Sequence, residues 1–141
     1  MVVKSIKALV AIVLVIAATN GSVNAAGQAQ IDPAALAAVA QTYFDALRGG
    51  DRQALLALLA GNERARSAAQ LNDPAYSRFL TDRYKNARLE IMDGGMSSGV
   101  SYIDITIWLN ATESVKERLI LKALSGSGGS PLSIVARKEL D

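Results

Sequence analysis

Ser101-Tyr102-Ile103-Asp104-Ile105-Thr106-Ile107-Trp108-Leu109-Asn110 is the stretch on which the fold turns. Its odd positions from 103 onward, Ile103, Ile105, Ile107 and Leu109, are aliphatic, while the even ones are Tyr102, Asp104, Thr106, Trp108 and Asn110. Successive strand side chains point to opposite faces, so this period of two predicts a strand with one face in a core and the other in water. The same alternation extends outward on both sides. Upstream, from Ala87, Leu89 and Ile91 alternate with Arg88 and Glu90, and Asp93-Gly94-Gly95 reads as the turn that closes the segment. Downstream, Val115, Leu119, Leu121 and Ala123 stand against Lys116, Arg118 and Lys122; then Leu132, Ile134 and Ala136 stand against Ser133, Val135 and Arg137. Between these last two strands, Ser125 to Pro131 is rich in Gly and Ser and predicts a flexible hairpin loop.

The segment before Ala87 has a different period. Asp32-Pro33 is a helix start: Asp accepts hydrogen bonds from free backbone N–H groups, and Pro loses nothing at the first helical position. Leu36, Val39, Ala40, Tyr43, Phe44 and Leu47 then step by three and four into one apolar stripe, which Gly49-Gly50 stops. Asp51 caps a second helix carrying Leu55, Leu56, Leu58 and Leu59, ended by Gly61-Asn62, and a polar helical stretch follows from Glu63 to Gln70. Asp73-Pro74 repeats the start signal for a helix through Tyr76, Phe79, Leu80 and Tyr84 to about Asn86. Helices with one apolar stripe and strands with one apolar face bury both by packing as two layers. The predicted fold class is therefore α+β, with N-terminal helices on one face of a curved, antiparallel, four-stranded sheet, in a single domain over 26–141 without internal repeats.

The first 25 residues read as a signal peptide. Lys4 and Lys7 precede an apolar run from Ala8 to Ala18, polar and small residues follow to Ala25, and Val23-Asn24-Ala25 suits a signal peptidase. The run is shorter than the roughly 20 residues of a membrane span. The alternative is an uncleaved anchor in which Val2 and Val3 lengthen the stretch, and only then is a membrane a partner. A lipoprotein is excluded because the chain has no cysteine. The expected location is outside the cytoplasm, in the periplasm or secreted.

Removing Lys4 and Lys7 from the 15 basic residues leaves 13, against 13 acidic ones. A neutral domain without a basic cluster offers little counterion release, so nucleic acid is not an expected partner. With neither Cys nor His, the chain lacks thiol chemistry, thiolate metal sites, the commonest metal ligand and the commonest general base. No stretch has the acidic spacing of a calcium loop. No metal and no cofactor are expected.

Tyr43-Phe44-Asp45-Ala46-Leu47-Arg48-Gly49-Gly50-Asp51, followed by Ala54-Leu55-Leu56-Ala57-Leu58-Leu59, resembles the opening of the nuclear transport factor 2-like superfamily, which includes the SnoaL-like proteins and small exported bacterial domains. The resemblance implies a cone, with a bent sheet wrapped around the helices and an apolar pocket at the open end. That superfamily hosts enzymes, ligand carriers and interaction modules, so the fold alone does not choose among them.

Three functional readings follow. In the first, Tyr43, Tyr84, Leu89, Ile105 and Leu121 line a pocket for a small apolar ligand, their plainer role being to fill the core. In the second, Tyr102, Thr106, Trp108, Ile120 and Val135 form an aromatic patch on the outer sheet face for a homodimer or protein partner, a use the resemblance also implies; the plainer role for Trp108 is packing on its lysine neighbours. The third is a small isomerase or hydrolase using Asp104, with Tyr102 beside it, on an apolar substrate. The strand register puts Asp104 outside, where a pair with Lys116 or Arg118 explains it. Asp32, Asp51 and Asp73 are explained as caps and Asp93 as a turn residue, and the sequon Asn110-Ala111-Thr112 as turn residues. A non-catalytic binding or assembly domain is the expected function.

Overall fold

The computed structural model describes residues 32–123 and 132–141. The signal segment and the loop from Ser125 to Pro131 lie outside the described residues. Four helices come first. Helix α1 spans Pro33–Gly49, helix α2 Arg52–Leu58, helix α3 Gly61–Leu71 and helix α4 Ala75–Tyr84. Three of these starts carry the expected aspartates: the Oδ1 atoms of Asp32, Asp51 and Asp73 accept from the N–H groups of Ala34, Ala54 and Ala75 at 2.9, 3.0 and 3.0 Å. Helix α1 ends as its sequence requires, on Gly50 in the left-handed region at φ 63°, with the Asp51 N–H donating to the Ala46 carbonyl at 2.9 Å.

Two helix boundaries differ from expectation. Leu59 leaves α2 in an extended conformation to bridge Ile134, and the Ala60 N–H donates to the Ile134 carbonyl at 3.0 Å. The chain thus exchanges a last helical turn for pairing with the final strand. Gly61, expected to stop α2, instead opens α3. In α4, Phe79 does not join the core. It is 51% exposed and stacks on Tyr76 with ring centroids 5.3 Å apart, leaving Leu80 as the one buried residue of the helix.

The strands are β1 Arg88–Ser97, β2 Val100–Trp108, β3 Ser114–Lys122 and β4 Ser133–Glu139, antiparallel throughout and in sequence order as expected, but across an open, uncurled sheet where a curved one was expected. Ile103, Ile105 and Ile107 all face the helices and are buried with Leu119, Leu121, Ile134 and the apolar stripe of α1. The fold is α+β with four helices packed against one sheet.

Asp93-Gly94-Gly95 is not a turn. It lies within β1, opposite Asp104, Ile103 and Tyr102, just past a bulge at Met92. The reversal comes at Ser98-Gly99, both at positive φ (54° and 77°), the pattern of a two-residue hairpin whose twist matches its strands. Asp93 caps its own neighbour instead, accepting from the Gly94 N–H at 2.9 Å. At the β2–β3 connection, Asn110 Oδ1 accepts from the N–H groups of Thr112 and Glu113, both at 2.9 Å, so the sequon residues do form a turn.

A second bulge matters more for function. In the β3–β4 ladder Leu119 pairs with Arg137 and Ile120 with Ala136, but Leu121 pairs with Ile134, so Val135 is an extra residue. The insertion reverses the alternation: Ala136, expected inside, faces out, and Arg137, expected outside, faces the helices.

Candidate functional site

Turning Arg137 inward creates a polar cluster under the helices. Its Nε donates to Glu63 Oε2 at 2.8 Å, one terminal nitrogen donates to Ser67 Oγ at 2.9 Å, and the other to the Tyr43 hydroxyl at 3.3 Å. Tyr43 in turn donates its hydroxyl proton to Glu117 Oε1 at 2.9 Å. Each member is placed by a different element: Tyr43 by the apolar stripe of α1, Glu63 and Ser67 one turn apart on α3, Glu117 by the inward register of β3 opposite Ile105, and Arg137 by the β4 bulge. Tyr43 is 2% exposed and Glu63 3%. Arg66 reaches Glu63 from the surface.

The electrostatics follow from this burial. Burial opposes ionisation of Glu63, but its hydrogen bonds to Arg137 and Arg66 and their charges outweigh it and hold the carboxyl below its ordinary value. At Glu117 the balance is reversed. Burial raises its pKa, and the Tyr43 hydrogen bond and the more distant Arg137 charge do not compensate. Burial, with the Glu117 charge beside it, also pushes the Tyr43 phenol up, so it stays a donor at every physiological pH.

These groups floor an open cleft of roughly 380 Å³. Tyr76, Tyr84 and Val115 supply the smaller apolar part of its lining, and Arg66, Arg83 and Glu139 add to the polar part, which is the larger. A larger concavity, roughly 530 Å³, lies between the end of α4 and the β2–β3 connection, but its walls are exposed side chains such as Asp82, Lys85 and Glu113, and no buried polar group underlies it. Among the described residues no three His, Cys, Asp or Glu side chains come together to hold a metal ion, and no helix is long and apolar enough to cross a membrane.

Of the residues expected to line a pocket, Tyr43 and Tyr84 are brought together in the cleft. Ile105 and Leu121 are fully buried in the core and Leu89 packs against it, and none of the three lines the cleft. On the outer sheet face, Thr106 is 2% exposed and so is covered within the chain itself, which removes it from any patch open to a partner. Tyr102 lies under the Arg118 guanidinium, 4.1 Å from the ring centroid. Trp108 donates its indole N–H to Glu90 at 2.9 Å and carries Arg88 over its ring at 5.5 Å, taking an arginine and a glutamate as neighbours where lysines were expected. Ile120 and Val135 are half-buried, Val135 at the bulge. Asp104 forms a two-bond pair with Arg118, at 2.7 and 2.9 Å, on that same outer face and away from the cleft.

No protein-family model, no curated protein and no solved structure matches this chain. The site therefore has to be read from its own chemistry.

The sequence reading passed over Glu117, Glu63 and Arg137. A signal for Glu117 was present: it occupies the inner-face position between Val115 and Leu119, where a carboxylate breaks an aliphatic series. An expected result tests whether it is kept at a cost. A carboxyl whose pKa is raised by folding favours the native state below its ordinary value of 4.5, and that benefit is lost as pH rises through the raised value. Glu117→Gln, which keeps an acceptor for Tyr43, should therefore gain stability relative to the parent between about pH 4 and pH 7. Urea titrations at the two pH values check this, and a difference that does not grow with pH refutes it.

Proposed function

We propose that the chain is an exported, non-catalytic domain that binds a small ligand in the cleft floored by Tyr43, Glu117 and Arg137. The observation that carries this reading is the cleft itself: a mostly polar, charged lining with fixed hydrogen-bonding groups at its floor and Tyr76, Tyr84 and Val115 beside them, at the lower end of the usual size of small-molecule sites, about 300–1,000 Å³. The floor is held by bonds between elements far apart in sequence, so its donors and acceptors are oriented before a ligand arrives. We further read the domain as a diverged relative of the nuclear transport factor 2-like superfamily. The helical-pair wording at Tyr43 to Leu59, the helices-then-sheet order and a cleft between helices and sheet support this, and the bulges at Met92 and Val135 are the points at which a cone-shaped sheet would bend.

The apolar-ligand expectation is modified by the floor, which adds a carboxylate and a guanidinium to the tyrosines. An isomerase or hydrolase of this architecture needs its carboxylate in the cleft; Glu117 has that position and a raised pKa, whereas Asp104 is engaged by Arg118 on the opposite face. The catalytic alternative therefore moves to Glu117.

Native mass spectrometry of protein purified from a periplasmic extract tests the reading. The expected result is a monomer that has lost residues 1–25 and retains a small-molecule adduct. A ligand-free dimer that Trp108→Ala dissociates would overturn it in favour of assembly through the outer sheet face.

A further inference from the structure

The charged groups around the cleft are not equally engaged. Every nitrogen of the Arg137 guanidinium already donates, to Glu63, Tyr43 and Ser67. Arg66 is bound to Glu63, and Arg83 lies over the Tyr84 ring at 5.6 Å. Glu117 differs. One oxygen accepts the Tyr43 proton, while the other accepts no hydrogen bond, and the carboxylate forms no ion pair among the described residues. A half-buried carboxylate with an open oxygen lacks what only a donor can supply.

The surroundings select the kind of donor. Tyr76, Tyr84 and Val115 line this cleft beside Glu117 and offer a small apolar body a surface to lie on. An anionic ligand would face Glu117 and Glu139, neither in an ion pair among the described residues, while two of the three arginines that line the cleft, Arg137 and Arg66, are held by Glu63. Building on the ligand-binding reading above, we propose that the cleft recognises a small protonated amine on an apolar body, its ammonium held by the free oxygen of Glu117 and its body resting against Tyr84, Tyr76 and Val115.

Three probes sharing one ring and differing in head group test this on the purified protein, expressed from the complete coding sequence: phenethylamine, 2-phenylethanol and phenylacetate. Titrations followed by nitrogen-15 amide shifts should show saturable binding of phenethylamine, about tenfold or more tighter than the alcohol, with the shifts centred on Tyr84, Val115 and Glu117. Glu117→Gln should weaken the amine about tenfold and leave the alcohol unchanged, while Asp104→Asn, on the opposite face, leaves all three as they were. Phenylacetate or the alcohol binding as tightly as the amine overturns the amine assignment and leaves the binding cleft standing. So does Glu117→Gln with undiminished amine affinity. Failure of all three probes to bind overturns both. The comparison among probes uses the parent protein, so it does not depend on the variant's folding.

Discussion

Arg137→Met is expected to lower the unfolding free energy by about 1–3 kcal/mol at pH 7, because it removes the interior partner of a buried carboxylate. Glu63 is 3% exposed, and Arg137 is its interior partner; Arg66, more than two-thirds exposed, remains as a surface contact only. The attraction lost matters less than the desolvated charge left behind, which is why removing both partners should cost much less than removing one. Glu63→Leu combined with Arg137→Leu is expected to recover most of the loss in urea denaturation. The pH dependence gives a second check. In the parent protein Glu63 is held below its ordinary value of 4.5, so its contribution is present above that pH and falls away in acid. Without Arg137 the carboxyl loses its main stabiliser, and the deficit of Arg137→Met should shrink as pH drops below about 4.5, where Glu63 can take up a proton. A deficit that persists unchanged into acid would place the cost in lost packing rather than in charge.

Gly50→Ala should cost about 2–4 kcal/mol, through two effects at one atom. The residue sits at φ 63°, where a Cβ meets the following carbonyl, a strain of roughly 1–2 kcal/mol. That Cβ would also lie 2.6 Å from the Ser77 carbonyl oxygen and 2.8 Å from Thr81 Cγ2, so α4 would have to withdraw from the end of α1. The neighbouring Gly49 is the control: its added Cβ meets nothing within 4 Å and its backbone is helical. Gly49→Ala should be neutral or gain up to about 1 kcal/mol from helix propensity. Thermal melts should separate the two variants by roughly 10 °C or more. Equal melting temperatures would mean that α4 gives way without cost.

The comparison of these two glycines shows what the sequence made legible. Local chemistry was readable: an aspartate before a helix accepts the same N–H wherever it occurs, and Gly49-Gly50 ended α1 as its conformational freedom predicts. Alternation in β2 was readable too, because four aliphatic residues in one register leave no competing face. What escaped were events decided by a partner strand. Asp93-Gly94-Gly95 carries turn residues, yet pairing with β2 keeps them extended, and Gly94 admits the Leu36 side chain, 3.5 Å from where its Cβ would lie. The same limit hid the site. Counting by twos along β4 gives Arg137 to solvent, and one extra residue at Val135 inverts the count without leaving a mark in the sequence. With Arg137 assigned outside, Glu63 read as one more polar residue on a polar helix, and Glu117 had no company to make it conspicuous.

The bonds that floor the cleft also set a schedule. Tyr43 and Glu117 are 74 positions apart, as are Glu63 and Arg137, and Tyr43 and Arg137 are 94 apart. Contacts of such separation form late, since the loops they close must be ordered first. Of the groups that floor the cleft only Arg137 lies on β4, so a chain packed from α1 through β3 holds Tyr43, Glu63 and Glu117 but lacks the guanidinium that ties them together. A species that has collapsed around α1 without docking β4 would be compact and yet leave Glu63 without its interior partner.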